Sequence, residues 1–418
     1  MPYTAQVRLW LGNVSRSVFR VGWPRTDKDR AAAMISSVFL HVHSAKVQRH
    51  SLRASYTLGL GLISFYLFGV LILTGIALML YYTPSPPAAY RSMKDLQFVV
   101  TFGMVLRNMH RWAAHAMVAV VFLHMCRVFF TGAYKSPRQF NWVIGVGLLL
   151  LTLFLSFTGY LLPWDQLSFW AITVGSNMAS YAPWLGDNLK YLLLGGNVIG
   201  PGALLRFYVL HCVILPAIAL GLVAVHFFRV RKDGLSAPAP SEPAPVEEVR
   251  PGRFPASARS YGLMALTDRP ALPVVEADPE DDVMSWPHLL YRELLVLLAV
   301  LVVLHVVSLL FDAPLEELAD PTRTPNPAKA PWYFLGLQEL VHYSAFIGGV
   351  LVPTIVVLLL LLTPYLDPLP RGVGVWFAPE RRRANWIFGV LASVAILLTA
   401  IGTYFRGPNW AWVWPWTG

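Results

Sequence analysis

The 418-residue chain has the composition of an all-α membrane protein with several spans. Hydrophobic residues make up 56% of it, charged residues only 13%, and the mean hydropathy is +0.53, which excludes an ordinary soluble domain and a disordered chain. The formal net charge is +10, but we assign this excess to membrane topology and expect no nucleic-acid partner. The two cysteines lie inside predicted helices, so neither a disulfide framework nor a thioether-linked cofactor is expected.

The first 53 residues precede the membrane spans and carry nine lysines and arginines. They lack the apolar core and the cleavage site of a signal peptide. The stretch AAAMISSVFLHV at 31–42 predicts a short amphipathic helix lying on the membrane surface. His41, His43 and His50 follow in a polar context, where solvated histidines are the expectation and a metal site is the alternative.

Seven segments are each near the ~20 residues that a membrane-crossing helix needs. The first predicted span lies within the stretch 54–90, which has no charged residue, and the others are 109–130, 140–162, 205–228, 294–311, 348–366 and 384–405. Pro216 lies inside the fourth span and should kink it. With seven spans, the N-terminus and the loops after the second, fourth and sixth spans share one side of the membrane. Most of the 33 lysines and arginines fall on that side, which the positive-inside rule assigns to the cytoplasm.

The segment between the fourth and fifth spans is rich in proline, alanine and acidic residues, with APAPSEPAPVEE as its typical phrase. Such a composition cannot bury much apolar surface and predicts a linker. We therefore divide the chain into an N-terminal segment at 1–53, a four-helix unit at 54–232, the linker at 233–285 and a three-helix unit at 286–418.

Two of the predicted spans carry paired histidines. His110 and His124 are fourteen residues apart in the second span, and His211 and His226 are fifteen apart in the fourth. Fourteen residues make about 3.9 helical turns and rise roughly 21 Å, so both histidines of a helix face nearly one side. Two such helices side by side would form two imidazole pairs, each able to ligate one iron axially, as two stacked haems in a four-helix bundle require. A lone intramembrane histidine bonded to a polar neighbour is the alternative, but two pairs at matching depth favour haem.

Glycines on the first and third spans repeat with the same fourteen-residue spacing. They are Gly61 and Gly75 in the first span, and Gly145 and Gly159 in the third. A flanking helix can approach a wide haem plane only where no side chain intrudes, so this shared spacing predicts haem-facing positions. Arg107 and Arg127 lie three residues outside the two histidines of the second span, where they are predicted to neutralise haem propionates or to anchor the helix at the interface.

Over roughly residues 40–405 the chain resembles cytochrome b, the membrane core of quinol–cytochrome c oxidoreductases. The phrases that carry the resemblance are RNMHRW, LHMCR, FTGYLLPWDQLSFWA, RFYVLH and APWYFLGLQE. The fifteen-residue histidine spacing together with LPWDQ is similar to the photosynthetic branch, in which the protein is usually split after the fourth helix. Here both parts would form one chain.

The resemblance implies a di-haem subunit that oxidises quinol at an outer site and passes electrons through two non-covalent b haems to a quinone on the cytoplasmic side, building a proton gradient. It implies a Rieske iron–sulfur protein and a cytochrome c-type subunit as partners, and a homodimeric complex. The location implied is the bacterial inner membrane, within the lipid bilayer, with the N-terminus in the cytoplasm.

The quinol-site motif departs from the family. The family's Pro-Glu-Trp-Tyr motif is matched here by Ala330, Pro331, Trp332 and Tyr333. The glutamate whose family role is to accept a quinol proton is therefore absent. We predict that Glu339, two helical turns further on, replaces it, with His342 or Tyr333 as alternatives and an interfacial role for Glu339 left open.

The resemblance also leads to expectations for the quinone and for a third haem, and two other functions are its rivals. The altered motif is similar to menaquinol-using bacterial forms, which favours menaquinol over ubiquinol. Photosynthetic relatives attach a third haem to a cysteine at the position of Gly59, so a covalent third haem is not expected and a non-covalent one is left open. The rivals are a di-haem membrane anchor of a dehydrogenase or hydrogenase, which lacks the LPWDQ and PWY loops, and a haem-free transporter, for which helices one to four offer no carboxylate.

Overall fold

The protein is almost wholly helical in the computed structural model, which describes residues 3–18, 24–37, 40–238 and 282–416. Seven helices in these ranges are long and apolar enough to cross a membrane. They are Leu60–Met79, Gly103–Phe130, Gln139–Tyr160, Pro201–Asp233, Ser285–Leu310, Ile347–Leu366 and Pro379–Tyr404. The predicted number of spans is confirmed, and most of the predicted ends shift by only a few residues.

The N-terminal segment contains helices α1 (Tyr3–Val18) and α2 (Asp27–Ser36), followed by strand β1 (Lys46–Gln48). The predicted helix at 31–42 was placed too late, because Thr26 and Asp29 form a capping box that starts α2 at Asp27. Strand β1 pairs antiparallel with β2 (Asp282–Met284), so the N-terminal segment contacts the beginning of the C-terminal unit.

The expectation of solvated histidines in the N-terminal segment was wrong for two of the three. The Nε2 atom of His43 lies 3.0 Å from the Glu293 carboxylate, and Nε2 of His50 lies 3.2 Å from the carbonyl oxygen of Gly374. Both side chains are half-buried, whereas His41 is exposed. These contacts join the N-terminal segment to the C-terminal unit, more than 200 residues away in the chain.

The four-helix unit, named for its four membrane spans, follows and also contains shorter helices. Its helices are α3 (Ala54–Thr57), α4 (Leu60–Met79), α5 (Ala88–Phe98), α6 (Gly103–Phe130), α7 (Gln139–Tyr160), α8 (Gln166–Ser180), α9 (Gly186–Leu194), α10 (Pro201–Val209) and α11 (Leu215–Asp233). After the third span, α8 and α9 pack against each other as a helical hairpin. Asp165 begins α8 by accepting the backbone N–H of Ser168 at 2.9 Å, and so it fixes the turn out of α7.

The fourth span contains one π-helical turn. Residues Leu210–Ile214 form this turn between α10 and α11, just before Pro216. Proline lacks a backbone N–H and its ring clashes with the carbonyl four residues earlier, so the helix widens there. A π-turn adds one residue without ending the helix, which explains why His211 and His226 are fifteen residues apart and not fourteen.

The C-terminal unit consists of α12 (Ser285–Leu310), α13 (Trp332–Tyr343), α14 (Val352–Leu366) and α15 (Arg382–Tyr404). Two apolar clusters pack it against the four-helix unit. Val300 and Leu304 of α12 pack against Leu67 of α4 and Ala113 of α6, while Phe388 of α15 stacks on Phe129 with ring centroids 3.9 Å apart. Most of the predicted linker, residues 239–281, lies outside the described residues.

Candidate functional site

One large cavity of about 1410 Å³ lies between α4, α6, α7 and α11. His110, His124, His211 and His226 all line it. The volume exceeds the roughly 300–1,000 Å³ of a usual single-ligand pocket. The sequence-predicted histidines are therefore brought together around one internal space that is large enough for more than one ligand.

His110 and His211 form the outer histidine pair, so named because the predicted topology places them nearer the outer side of the membrane. Their separation is that expected for two ligands of one metal ion. The ring centroids of His110 and His211 are 6.2 Å apart. Two metal–nitrogen bonds of about 2 Å each, plus the distance from each nitrogen to its ring centre, sum to roughly 6 Å. A single metal ion between these two imidazoles would satisfy both.

Hydrogen bonds orient the outer histidines. The Nδ1 atom of His211 lies 3.0 Å from the carbonyl oxygen of Leu155, to which it can only donate. The Nδ1 atom of His110 lies 2.9 Å from the hydroxyl oxygen of Thr74, which itself donates to the carbonyl of Val70. Both contacts place the proton on Nδ1 and leave the Nε2 lone pair free to bind a metal.

The inner histidines, His124 and His226, are half-buried, and they differ from the outer pair in their surroundings. Within the described residues, the Nδ1 atoms of His124 and His226 have no hydrogen-bond partner. Buried polar atoms of this kind are rare in folded proteins and usually indicate a missing water, ion or ligand. The inner end of the cavity therefore contains two buried Nδ1 atoms that the described residues do not satisfy, unlike the Nδ1 atoms of His110 and His211.

Each of the four predicted glycines lies against one of the histidines. The distance from a Cβ atom added at each glycine to the Cε1 atom of its histidine shows how close the helices are. At the outer pair it is 3.3 Å for Gly75 and His110 and 2.5 Å for Gly159 and His211. At the inner pair it is 3.2 Å for Gly61 and His124 and 3.8 Å for Gly145 and His226. A side chain at the closest of these positions would push the imidazole aside. The spacing in the sequence thus corresponds to four close helix approaches at the cavity.

The two arginines at the ends of the cavity, Arg107 and Arg127, donate hydrogen bonds to backbone carbonyls. Arg107 donates to the carbonyl oxygens of Ala313 and Pro314 at 2.7 and 2.6 Å. Arg127 donates to the carbonyl of Tyr56 at 3.2 Å and lies 4.4 Å above its ring. Both arginines line the cavity, so each remains placed to contact an acidic group within it.

The residues that match the quinol-site motif lie at the start of α13. Pro331 is the N-cap of this helix and is buried. Tyr333 lines the cavity, and the indole nitrogen of Trp332 donates to Nδ1 of His115 at 2.9 Å. The sequence analysis missed His115, since a single histidine five residues after His110 has no helical or motif signal of its own.

The structure does not bring Glu339 to the cavity. Its side chain is 0% exposed, and its carboxylate accepts hydrogen bonds from Nε and Nη2 of Arg406 and from the indole nitrogen of Trp410. The same Arg406 also donates to the Tyr343 hydroxyl at 3.1 Å. Burial alone would raise the pKa of Glu339, but these donors outweigh it and lower the pKa below its ordinary value of 4.5. This placement is that of a structural ion pair, contrary to the expectation of a proton acceptor facing quinol.

Comparisons with known proteins agree with this arrangement. A family model described as "Cytochrome b(N-terminal)/b6/petB" matches residues 115–321. Cytochrome b6 of Heliobacterium modesticaldum is 47% identical over 192 residues, which are 46% of this chain and 89% of that protein. The menaquinol:cytochrome c reductase cytochrome b subunit of Bacillus subtilis is 42% identical over 179 residues, which are 43% of this chain and 80% of that protein.

A solved structure extends the similarity of fold beyond the four-helix unit. A chain of a "Hyperthermophilic respiratory Complex III" superposes with a TM-score of 0.69 over 94% of this chain and 90% of its own, at 24% identity. The sequence relatives cover less than half of this chain, whereas the shared fold includes the C-terminal unit as well. On the strength of the sequence relatives, the chain belongs to the cytochrome b family.

Proposed function

We propose that this chain is the cytochrome b subunit of a quinol–cytochrome c oxidoreductase. The observation that carries the proposal is the set of four histidines around one cavity, each with its own glycine, in a family member with seven apolar helices. His110 and His211 would hold an outer b haem, and His124 and His226 an inner one. When bound, each haem would supply a one-electron carrier held by two imidazoles.

The protein's part is to position these carriers across the membrane. The two histidines of α6 are separated along the helix axis by roughly 21 Å, a large part of the roughly 30 Å hydrocarbon core. Gly61, Gly75, Gly145 and Gly159 would let the flanking helices approach the haem planes, and Arg107 and Arg127 would face the propionates. The protein groups thus define a path from an outer to an inner site.

Quinol oxidation would take place at the outer end of the cavity, where Pro331, Trp332 and Tyr333 meet α6. A quinone on the cytoplasmic side would receive the transferred electron. The Bacillus subtilis relative named as a menaquinol:cytochrome c reductase subunit supports menaquinol as the substrate. Gly59 offers no thiol for a covalent third haem, and we propose two non-covalent haems.

The proposed setting is a multi-subunit complex in a bacterial inner membrane. A Rieske iron–sulfur protein and a cytochrome c-type subunit would take electrons from the outer site, and the complex would be a homodimer. The charge distribution supports a cytoplasmic N-terminus. Residues 54–232 and 286–418 would correspond to the two parts that are separate chains in split relatives, fused here through residues 233–285.

A pyridine haemochrome assay combined with a redox titration of the purified protein tests this proposal. We expect two non-covalent b haems per chain that titrate as two one-electron steps. His110→Ala should remove the outer haem and His124→Ala the inner one. The matched control is His305→Ala, since His305 is an exposed histidine of α12 whose Nδ1 contacts the Leu301 carbonyl of its own helix. Folded protein without haem would refute the proposed function.

A further inference from the structure

We propose that His115 is the group that accepts a proton from quinol at the outer site. This inference rests on the proposed function and assigns the role that the sequence had given to Glu339. His115 lies on α6 and lines the large cavity, five residues after the outer haem ligand His110. It is therefore close to the predicted electron acceptor without being one of its ligands.

The motif residues of α13 meet α6 at His115. The ring centroids of His115 and Tyr333 are 5.6 Å apart, and those of His115 and Trp332 are 6.5 Å apart. Trp112, on the same helix, packs on the other side with its ring centroid 5.5 Å from that of His115. The imidazole thus lies among aromatic rings, and it shares the lining of the cavity with Tyr333, against which a quinol ring could pack.

The hydrogen-bond partners of His115 favour its neutral, proton-accepting form. The indole N–H of Trp332 lies 2.9 Å from Nδ1, and the Nε–H of Arg111 lies 3.0 Å from Nε2, so each ring nitrogen faces a hydrogen-bond donor. Neither group can accept a hydrogen bond in return, and Arg111 is a cation. Because a neutral imidazole has only one free lone pair, it accepts from one donor at a time. A quinol hydroxyl can take the place of that donor.

The other acidic and basic groups around the cavity leave His115 as the candidate base at this end. Of the described residues that line the cavity, the carboxylates are Asp233, Asp282 and Glu293, all at the predicted cytoplasmic end. Arg111 on the same helix and Tyr333 on α13 are the titratable groups that contact His115. The ring of Tyr160 lies 5.4 Å from the Arg111 guanidinium. Beyond Arg111, a small cavity of about 20 Å³ is bordered by Asp165 and Glu316.

Oxidation of one quinol releases two protons and two electrons, and each has a destination. One quinol O–H bond breaks, and its proton forms a new N–H bond on the neutral imidazole of His115, which becomes imidazolium. The two electrons would pass one at a time to two one-electron acceptors, the haem that His110 and His211 would hold and the iron–sulfur centre of the proposed partner protein. The proton of the second hydroxyl leaves toward the iron–sulfur protein, and the product is the quinone.

The test compares His115→Gln with the matched control His305→Gln in the purified complex. The readouts are haem content, the quinol oxidation rate per haem with a short-chain naphthoquinol, and the dependence of that rate on pH. General-base catalysis contributes roughly 10²–10⁴-fold to a rate. We expect His115→Gln to slow quinol oxidation by at least about 10²-fold. The variant should keep both haems, and its oxidation rate should no longer vary with pH as the wild-type rate does. His305→Gln should behave as the wild type.

A purely structural role for His115 would give a different result. His115→Ala leaves a space in which added imidazole should restore part of the rate, whereas a packing defect would not respond. Wild-type turnover and pH profile in haem-loaded His115→Gln would overturn the inference, as would a slow His115→Ala that imidazole does not rescue. A wild-type protein without two haems would instead overturn the proposed function, so the two failures are distinguishable.

Discussion

Replacing Glu339 with glutamine separates a structural role for this residue from a catalytic one. The change removes the negative charge that Arg406 contacts through both Nε and Nη2, inside a region where the glutamate is fully buried and Arg406 is 9% exposed. Removing one partner of a buried ion pair is strongly destabilising, because the remaining charge stays buried without compensation. We expect Glu339→Gln to lower stability by about 3 kcal/mol.

The assay is thermal denaturation of the purified protein in detergent, followed by the quinol oxidation rate per bound haem at a temperature where the variant is folded. The matched control is Glu317→Gln, since Glu317 forms an exposed ion pair with Arg323 at 3.5 Å. Exposed pairs contribute little, so the control should denature as the wild type does. The double variant Glu339→Gln, Arg406→Gln should recover part of the loss, because it no longer leaves a buried arginine unpaired.

The pH dependence of this effect has a definite sign. The folded-state pKa of Glu339 is lowered below 4.5, so the ion pair contributes stability at pH values above 4.5 and loses it as the pH falls through the folded value. Glu339→Gln should therefore remove part of the acid sensitivity of the wild type. The structural assignment is refuted by a variant that keeps wild-type stability but oxidises quinol many times more slowly per haem.

Two more substitutions test close contacts in the structure. Gly159→Ala puts a Cβ atom 2.5 Å from the His211 imidazole and should lower the occupancy of the proposed outer haem. Gly221→Ala is the control, because its Cβ meets no atom of the described residues within 4 Å. Equal haem spectra in the two variants would contradict this expectation. Burial lowers the pKa of His43, but the hydrogen bond and charge of Glu293 raise it above 6.5 overall. The His43 contribution should be complete below pH 6.5 and lost as the pH rises through the folded value, so thermal midpoints of His43→Gln and wild type should converge at high pH.

The features that the sequence predicted are those encoded within single helices. A run of about 20 apolar residues identifies each span without knowledge of its neighbours. The paired histidines and glycines fall on one face of a helix by their spacing alone, and the structure brings all eight to the same cavity. Even the irregular spacing of His211 and His226 has a local cause, because Pro216 lies just after the π-turn.

The features that the sequence did not predict depend on pairs of residues far apart in the chain. Trp332 and His115 are 217 positions apart, and His43 and Glu293 are 250 apart. Helical periodicity contains no information on which face of α6 receives α13. The same limitation explains why the structure differs from the prediction for Glu339. The spacing of Glu339 from the motif is compatible with a shared helix face. Its ion-pair partner, Arg406, is 67 positions away and is brought to it by the packing of α15 against α13.

The outer end of the cavity is formed jointly by the four-helix and three-helix units. Asn108, buried on α6, donates to the carbonyl of Ser308 and to Asp312, and accepts from the backbone N–H of Ala313. Arg107 bonds the carbonyls that follow. Helix α6 therefore carries a proposed ligand of each haem, the contacts that fix the loop after α12, and His115. Because one helix positions all of these groups, the distance between the proposed proton acceptor and the proposed outer haem ligand is set by the helix itself. The proposed quinol pocket, in contrast, requires α13 to be packed against α6.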